Sequence, residues 1–199
     1  MPKEPQNALH LNMFGPFSWS GGSDASSIYN IPESQLSGIY LWTVPTVFGE
    51  LVYYIGETGR PFAQRFKEHF TESLSGMYSI YNPDEFRKGA KKLLWEGMWQ
   101  KDEERRTPEF LSQYPILSKS ILEIVSMFRF YLIPLSPDFR LRKRIEAAIA
   151  NDLYGQGGVI GNFQDPDIRY QKRKEDEEPV FVKISYNSKI LGLPKTLKV

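Results

Sequence analysis

The chain of 199 residues contains no cysteine, only two histidines and no long hydrophobic run. Without cysteine it has neither disulfides nor thiolate metal sites, which is typical of a reducing compartment. No apolar stretch approaches the roughly 18 residues that span a bilayer. The N-terminal residues also lack the hydrophobic core of a signal peptide. These absences predict a cytoplasmic protein without a membrane partner.

A large excess of either charge is also lacking, since the formal net charge is +1. A nonspecific nucleic-acid binder is usually more basic, so the composition alone argues weakly against DNA. A near-neutral total can nevertheless hide a basic groove that is balanced by acidic surface elsewhere. The cations are clustered in two groups, Arg87, Lys88, Lys91 and Lys92, and Arg140, Arg142, Lys143 and Arg144. The alternative interpretation of each cluster is a solvated helix face.

The clearest pattern in the chain lies between residues 38 and 69. Residues 38–42 and 51–55 are apolar and β-prone, and the segment between them contains proline and glycine. Two such runs so close together predict an antiparallel hairpin.

Strict alternation along the two strands sorts their side chains onto two faces. It places Tyr40 and Tyr54 together on one face, each beside a glycine that leaves space for a partner. The faces rich in isoleucine and leucine are expected to point to a core. In the second strand these residues are Leu51, Tyr53 and Ile55.

A helix is predicted to follow the hairpin directly. Phe62, Phe66 and Phe70 recur every four residues and predict a buried stripe. Arg65 and His69 are also four residues apart and share a different stripe. A cation and a titratable imidazole can therefore face the two tyrosines.

These motifs resemble the GIY-YIG nuclease domain, whose name is spelled out by residues 38–40 and 54–56. The resemblance covers roughly residues 36–75 and 126–163. Further members of the family's pattern follow in the family's order, namely Arg65, His69, Glu146 and Asn162.

The resemblance implies an α/β (α+β) protein with a small central, mainly antiparallel sheet of at least three strands, flanked by helices. We expect one domain over residues 1–199. Its parts are the core at about 36–75 and 126–163, an insertion at about 76–125, an N-terminal arm at 1–35 and a C-terminal extension at 164–199. The arm is interpreted either as a segment docked on the domain or as a DNA contact.

Residue patterns also predict individual elements outside the hairpin. Strands are predicted at 8–14, 124–133 and 180–186, and helices at 84–100, at 110–123 with a break near Pro115, and at 139–154. Residues 101–108 are expected to form a charged turn, and the charged run at 172–178 is expected to be solvated.

The function that the resemblance implies is a divalent-metal-dependent endonuclease that hydrolyses DNA phosphodiester bonds. Glu146 would hold Mg²⁺, with Mn²⁺ as a substitute, because magnesium keeps several waters and needs only one or two carboxylates. Tyr40 would be the general base, and Arg65 would hold the scissile phosphate or the developing charge. Tyr54 would position water or phosphate, and Asn162 would orient backbone or phosphate near the metal.

A tyrosine is a poor base at its reference pKa near 10, which leaves two routes open. Positive charge from Arg65, the metal or a protonated His69 would lower the pKa of Tyr40. Alternatively, His69 takes the proton from Tyr40 as a relay.

Within the family, a standalone domain with a long insertion looks like the restriction-enzyme branch, in which insertions read sequence and a homodimer cuts both strands. Phosphate contacts are then expected from Arg87, Lys88, Lys91, Lys92, Arg142 and Lys143. A repair or mobile-element nuclease and an RNA substrate stay open. Other readings are a non-catalytic nucleic-acid-binding or protein-interaction module, and a small-molecule enzyme.

Overall fold

The chain folds into a mixed α/β arrangement with three sheets, which the computed structural model describes for residues 8–99, 103–135, 138–165 and 170–199. The strands are β1 (Leu9–Asn12), β2 (Phe14–Ser18), β3 (Ser26–Ser27), β4 (Gly38–Thr46), β5 (Gly49–Thr58), β6 (Ile80–Tyr81), β7 (Leu93–Trp95), β8 (Arg129–Pro134), β9 (Phe181–Ser185) and β10 (Thr196–Lys198). The α-helices are α1 (Phe62–Leu74), α2 (Pro83–Arg87), α3 (Glu103–Met127), α4 (Phe139–Tyr154) and α5 (Gly158–Phe163). Two 3-10 helices lie at Ile28–Asn30 and Pro32–Gln35.

The largest sheet has five strands in the order β3-β2-β8-β4-β5. The predicted hairpin is confirmed, since β4 pairs antiparallel with β5. On its other side β4 pairs antiparallel with β8, which pairs antiparallel with β2. Only the two-residue strand β3 runs parallel to its neighbour.

The prediction of one small sheet is wrong, because the two ends of the chain build a second one. Strand β9 pairs parallel with β1 and antiparallel with β10. Leu11, Val182 and Ile184 from this second sheet are buried in the same core as the inner face of α4. The predicted strands near both ends are thus confirmed, and the described part of the arm is docked on the domain. A two-stranded sheet, β6-β7, completes the set.

A β-bulge in the hairpin overturns the strict alternation expected for β5. Trp42 pairs with Tyr54 but Thr43 pairs with Val52, so Tyr53 is the extra residue. As a result Leu51 and Tyr53 lie in the same core as Tyr40, while Val52 and Ile55 lie in the core on the opposite side of the sheet. Residues 53 and 54 therefore both turn toward the side of Tyr40.

Helices α1 and α4 lie where the sequence predicts them, on opposite sides of the central sheet. Phe62 and Phe66 of α1 are fully buried and Phe70 partly so, which confirms the predicted stripe. Helix α4 begins after Asp138, whose carboxylate accepts a hydrogen bond from the backbone N–H of Leu141.

The prediction of a long helix at 84–100 is wrong. Helix α2 ends after Arg87, and Gly89 follows with a φ of +77°, a backbone conformation suited to glycine. The chain then returns as β7, which pairs with β6, and the indole of Trp95 donates a hydrogen bond to the carbonyl of Gly76. Within the range predicted as a helix, Leu93–Trp95 therefore form a strand instead.

The predicted charged turn and helix break are replaced by one helix, α3, of 25 residues. A proline inside a helix costs about 3 kcal/mol of stability. The helix nevertheless continues through Pro115, whose side chain is exposed. The buried stripe of Phe110, Leu117 and Ile121 holds both halves against the same core. The helix also extends to Met127, so the predicted strand at 124–133 begins only at Arg129.

The central sheet is buried on both faces by two separate cores. One core holds Tyr40 and Trp42 together with α1 and α3, and the other holds Ile39 and Leu41 together with α4 and the β1-β9-β10 sheet. Among the residues that the structure describes, no helix has the length and hydrophobicity that crossing a bilayer requires.

Candidate functional site

A polar groove opens where β4 and β5 meet helices α1 and α4. It brings together side chains that are far apart in the sequence, and the predicted site residues Tyr40, Tyr54, Arg65 and Glu146 all line it. Glu57, Arg60 and Lys143 complete the charged lining. The groove is thus built from both strands of the hairpin, the following loop and both flanking helices.

Tyr40 is the most buried side chain of the groove, with 1% of its surface exposed. Its hydroxyl oxygen lies 2.8 Å from Nε2 of His69 and accepts a hydrogen bond of 3.4 Å from Nε of Arg65. Burial, followed by the neighbouring Tyr54, raises the pKa of Tyr40 well above its usual value. Tyr40 therefore keeps its proton at neutral pH and needs an acceptor before it can act as a base.

His69 lies behind Tyr40 with 2% of its surface exposed. Burial, together with the positive charges of Arg65 and Arg60, lowers the pKa of His69 well below its usual value. The imidazole is therefore neutral at neutral pH and has one nitrogen free to accept a proton. Of the two routes that the sequence left open, the electrostatics favours His69 as proton acceptor over a protonated His69.

Arg65 reaches the groove from α1 and is held by a carboxylate beside it. It donates to Glu68 over 3.0 Å, and Arg60 forms two hydrogen bonds, of 2.6 and 2.8 Å, to the same carboxylate. Burial lowers the pKa of Arg65, but Tyr40 and Glu68 raise it by more, so the guanidinium stays charged. Two cations are thus oriented at the end of the groove nearest to Tyr40.

Glu146 reaches the groove from α4 and is buried, with 4% of its surface exposed. Burial raises the pKa of its carboxyl to about 7, and Lys143 offsets part of this shift. The ammonium of Lys143 donates to Glu146 over 3.2 Å. This carboxylate is therefore poorly solvated and only partly neutralised.

A second carboxylate, from Glu57, shares the same ammonium. Lys143 Nζ lies 3.2 Å from Glu57 Oε1, and Arg142 donates to Glu57 Oε2 over 2.9 Å. The ammonium of Lys143 therefore lies between the carboxylates of Glu57 and Glu146.

Arg142 holds the carboxylate of Glu57 in place through this hydrogen bond. It is buried, with 4% of its surface exposed, and its side chain passes under Gly59, where an added Cβ would lie 2.8 Å from Nη2. Arg142, predicted as a phosphate contact, therefore binds Glu57 in the structure, whereas Lys143 faces the groove.

The donors of the groove fit a hard divalent cation. Glu146 and Glu57 supply oxygen ligands, and a cation is already attracted to the space between them, as the position of Lys143 indicates. Across the described residues, no group of three or more histidine, cysteine, aspartate or glutamate side chains could hold a metal ion. An ion here would thus keep most of its water, which suits magnesium.

Several predicted contacts lie outside the groove. Asn162 is on α5 with its side chain exposed and does not line the groove. Arg87 forms ion pairs with Asp84 and Glu123, and Lys88 pairs with Glu85. Lys91 donates to the backbone carbonyl of Gln164, and Lys92 is exposed.

The remaining basic residues of α4 bind the C-terminal extension. Arg140 forms an ion pair with Glu177, and Arg144 donates to the backbone carbonyls of Glu178 and Val199. The charged run at 172–178 is exposed as predicted, except at Glu177, which this ion pair leaves partly buried.

Among the ionisable residues that line the groove or contact Arg65 or His69, five are missing from the sequence prediction: Glu57, Arg60, Glu68, Glu72 and Tyr78. Glu57 follows the glycine of the second tripeptide directly, and Glu72 lies three residues after His69 on the same helical stripe. These spacings could have identified both. Tyr78 lies in the loop after α1, and nothing in its local sequence signals that it returns to His69.

No protein-family model matches the chain, and comparisons with characterised proteins and with solved structures find no similar protein. The site is therefore interpreted from its own geometry.

Proposed function

We propose that the protein is a divalent-metal-dependent endonuclease of the GIY-YIG type that hydrolyses phosphodiester bonds in DNA. One observation carries the proposal. A single open groove holds a tyrosine whose hydroxyl hydrogen bonds to a neutral histidine, an arginine beside that hydroxyl and a buried glutamate. Phosphodiester hydrolysis needs these groups, because a water must lose a proton while negative charge grows on the phosphate.

Tyr40 and His69 handle the proton. As water attacks phosphorus, Tyr40 takes the water proton and passes its own hydroxyl proton to Nε2 of His69. The high pKa of buried Tyr40 is no obstacle to this concerted transfer, since no free tyrosinate forms. Arg65 lies beside the same hydroxyl and holds the phosphate oxygens on which charge accumulates.

Glu146 would hold Mg²⁺, or Mn²⁺ in its place, with Glu57 as the second carboxylate of the groove. When bound, the ion stabilises the charge on the phosphate and on the leaving oxygen. Lys143 adds a cation that can pair with a phosphate oxygen once it leaves the two carboxylates. Tyr54 would position water or phosphate from beside Tyr40, since the two ring centroids lie 5.9 Å apart.

A restriction-type role, with a homodimer cutting both strands, is the finer form of the proposal. The insertion at about 76–125 supports it, because it adds α2, the β6-β7 sheet and most of α3 to the core, and added structure of this kind suits sequence reading. Among the predicted phosphate contacts, exposed Lys92 and groove-lining Lys143 have the best access to DNA.

The test is cleavage of supercoiled plasmid, phage DNA and single-stranded RNA by the purified full chain with Mg²⁺, Mn²⁺ or EDTA. Glu146→Gln keeps the shape of the side chain and removes its charge, and exposed Glu104→Gln is the matched control. We expect metal-dependent cleavage of DNA by the wild type and by the control, and a loss of roughly 100-fold or more in Glu146→Gln.

Each outcome has a meaning. Discrete DNA fragments support the restriction-type role, whereas a smear retains the nuclease and removes sequence specificity. Cleavage of RNA alone would replace the substrate class. Absence of cleavage from folded protein on every substrate would overturn the proposal and favour a non-catalytic binding module.

A further inference from the structure

Two side chains behind the groove form a hydrogen-bonded chain with His69. Nδ1 of His69 lies 2.6 Å from the hydroxyl oxygen of Tyr78, and that hydroxyl donates to the carboxylate of Glu72. Neither Tyr78 nor Glu72 lines the groove. Together with Tyr40, the four groups form one continuous path from the groove to a partly exposed carboxylate.

The carboxylate decides the direction of every hydrogen bond in this chain. A carboxylate accepts hydrogen bonds, so the single hydrogen of the Tyr78 hydroxyl points to Glu72. The oxygen of Tyr78 must then accept from Nδ1–H of His69. Because a neutral imidazole carries one proton, Nε2 is left with a lone pair that faces the hydroxyl of Tyr40.

In the opposite tautomer, Nδ1 of His69 and the carboxylate of Glu72 would both need the single hydrogen of the Tyr78 hydroxyl. If Nε2 carried the proton of His69, Nδ1 would need the hydrogen of Tyr78, and Glu72 would lose its donor. Glu72 is partly exposed, so water can supply it with another donor, but its negative charge lies 3.6 Å from Nδ1 and favours a proton on that nitrogen. The geometry therefore favours one polarity of the chain.

We propose that Glu72 and Tyr78 are positioning residues that fix His69 as the Nδ1–H tautomer, so that Nε2 accepts the proton of Tyr40. They also stabilise the imidazolium that this transfer creates, because its Nδ1–H still points along the chain to the negative charge of Glu72. The effect of these residues on catalysis rests on the proposed nuclease function, whereas the tautomer of His69 does not depend on that function.

The protons and electrons balance over one turnover. The water oxygen forms a bond to phosphorus, and the bond to the leaving oxygen breaks with its electron pair on that oxygen. The water proton moves to Tyr40, and the hydroxyl proton of Tyr40 moves to His69. The leaving oxygen takes a proton from solvent, and the imidazolium returns one to solvent after the product leaves.

The tautomer can be measured without any nuclease activity. The chain has only two histidines, so ¹⁵N-labelled imidazoles give two sets of signals, and His10→Gln identifies those of His69. At pH 7.5 we expect a protonated Nδ1 and an unprotonated Nε2 in the wild type. A protonated Nε2, or an even mixture, would overturn the proposal whether or not the protein cleaves DNA.

Two variants test whether Tyr78 and Glu72 cause this preference. Tyr78→Phe removes the acceptor of Nδ1–H, and Glu72→Gln removes the charge that orients the chain. We expect both to shift the ¹⁵N signals of His69 toward the Nε2–H tautomer, while exposed Tyr114→Phe leaves them unchanged. Wild-type signals in both folded variants would show that the pair does not set the tautomer.

Kinetics separate positioning from general stability. Tyr78→Phe and Glu72→Gln should lower kcat roughly 10-fold to 100-fold with little change in KM, because the transfer to His69 is impaired and the phosphate contacts remain. The pH dependence of kcat should also change, because each variant alters a group that acts on His69. The titratable and charged groups that face or act on His69 are Tyr40, Tyr54, Arg60, Arg65, Glu72 and Tyr78. Unchanged kcat and pH profile in both variants would contradict the proposed role. If the wild type has no nuclease activity, the nuclease proposal fails and the ¹⁵N result alone decides the tautomer.

Discussion

Gly56 and Tyr40 face each other across the central hairpin, and the tyrosine leaves no room for a side chain at residue 56. They are paired in register on β5 and β4, and the ring of Tyr40 covers the position where a side chain of residue 56 would begin. A Cβ atom at Gly56 would lie 2.5 Å from both Cζ and the hydroxyl oxygen of Tyr40, and 2.7 Å from the ring of Tyr54. The glycine of the second tripeptide is thus a steric requirement of the tyrosine in the first.

Gly56→Ala should therefore displace the Tyr40 hydroxyl from His69 and Arg65. We expect cleavage to fall roughly 100-fold and the free energy of unfolding to fall by about 1–3 kcal/mol through overpacking. Gly22→Ala is the matched control, because an added Cβ there meets nothing within 4 Å. The measurements are cleavage rates and urea denaturation. Wild-type activity in folded Gly56→Ala would mean that the tyrosine position is not critical.

Tyr40→Phe removes only the hydroxyl that bonds to His69 and Arg65. Cleavage should fall roughly 100-fold or more, because the water proton loses its acceptor. DNA binding should persist, since Arg65 and Lys143 remain, and a filter-binding assay at low salt can measure it. Tyr54→Phe, which removes the neighbouring hydroxyl, is expected to lose less activity. Full activity in Tyr40→Phe would exclude Tyr40 as the base.

Lys143→Met should strengthen divalent-metal binding while weakening cleavage. The ammonium lies between Glu57 Oε1 and Glu146 Oε2. Without it, an incoming metal ion no longer competes with Lys143 for these two oxygens. A gain of roughly tenfold in Mn²⁺ affinity is expected for loss of one nearby positive charge. Calorimetry of Mn²⁺ binding measures it, with exposed Lys119→Met as the control. Equal or weaker binding in Lys143→Met would show that lysine and metal occupy different places.

The lowered pKa of His69 makes the stability of the fold depend on pH in a defined direction. Well above pH 6.5, the reference value, His69 is unprotonated in both the folded and the unfolded chain, and its contribution to stability is complete. As pH falls below 6.5, His69 binds a proton in the unfolded chain but not in the folded protein. The contribution of His69 is therefore lost by about 1.4 kcal/mol per pH unit until the lower folded pKa is reached.

The comparison must be made against His69→Gln, because Glu146 acts in the opposite direction. The pKa of its carboxyl is raised to about 7, so folding is favoured as pH falls through that value. Glu146 is present in both proteins, and its contribution cancels in their difference. Between pH 7.5 and 5.5, urea denaturation should show the stability of wild type falling relative to His69→Gln by about 1.4 kcal/mol. A constant difference would mean that His69 titrates normally in the folded protein.

The sequence predicts the parts of this fold that depend on local periodicity. The hairpin, α1 and α4 each have a regular apolar pattern, and all three lie where that pattern indicates. The bulge at Tyr53 could not be predicted in this way, because one extra residue leaves the composition of the strand unchanged and reverses its faces. Tertiary packing also overrides local signals where α3 continues through Pro115.

The candidate site was predictable to the extent that its residues share a helix or a strand pair. Local patterns place Tyr40 and Tyr54 on one strand pair and Arg65 on the following helix, whereas only the resemblance indicates Glu146, and the structure brings all four to one groove. Glu57 is paired with Arg142, 85 residues away, and His69 depends on Tyr78 from an irregular loop. Contacts of this kind have no periodic signal, because they depend on how separate segments pack.

The connection from α1 through Tyr78 to β6 matters for any attempt to exchange the inserted segment at about 76–125 for that of another protein. A chimera that replaced the whole segment would discard Tyr78, and His69 would lose its acceptor. A graft that begins after Tyr81 keeps Tyr78 together with His69. Under the proposed function, the boundary between a DNA-recognising part and a DNA-cutting part would lie inside the inserted segment, several residues beyond the place where the sequence pattern ends.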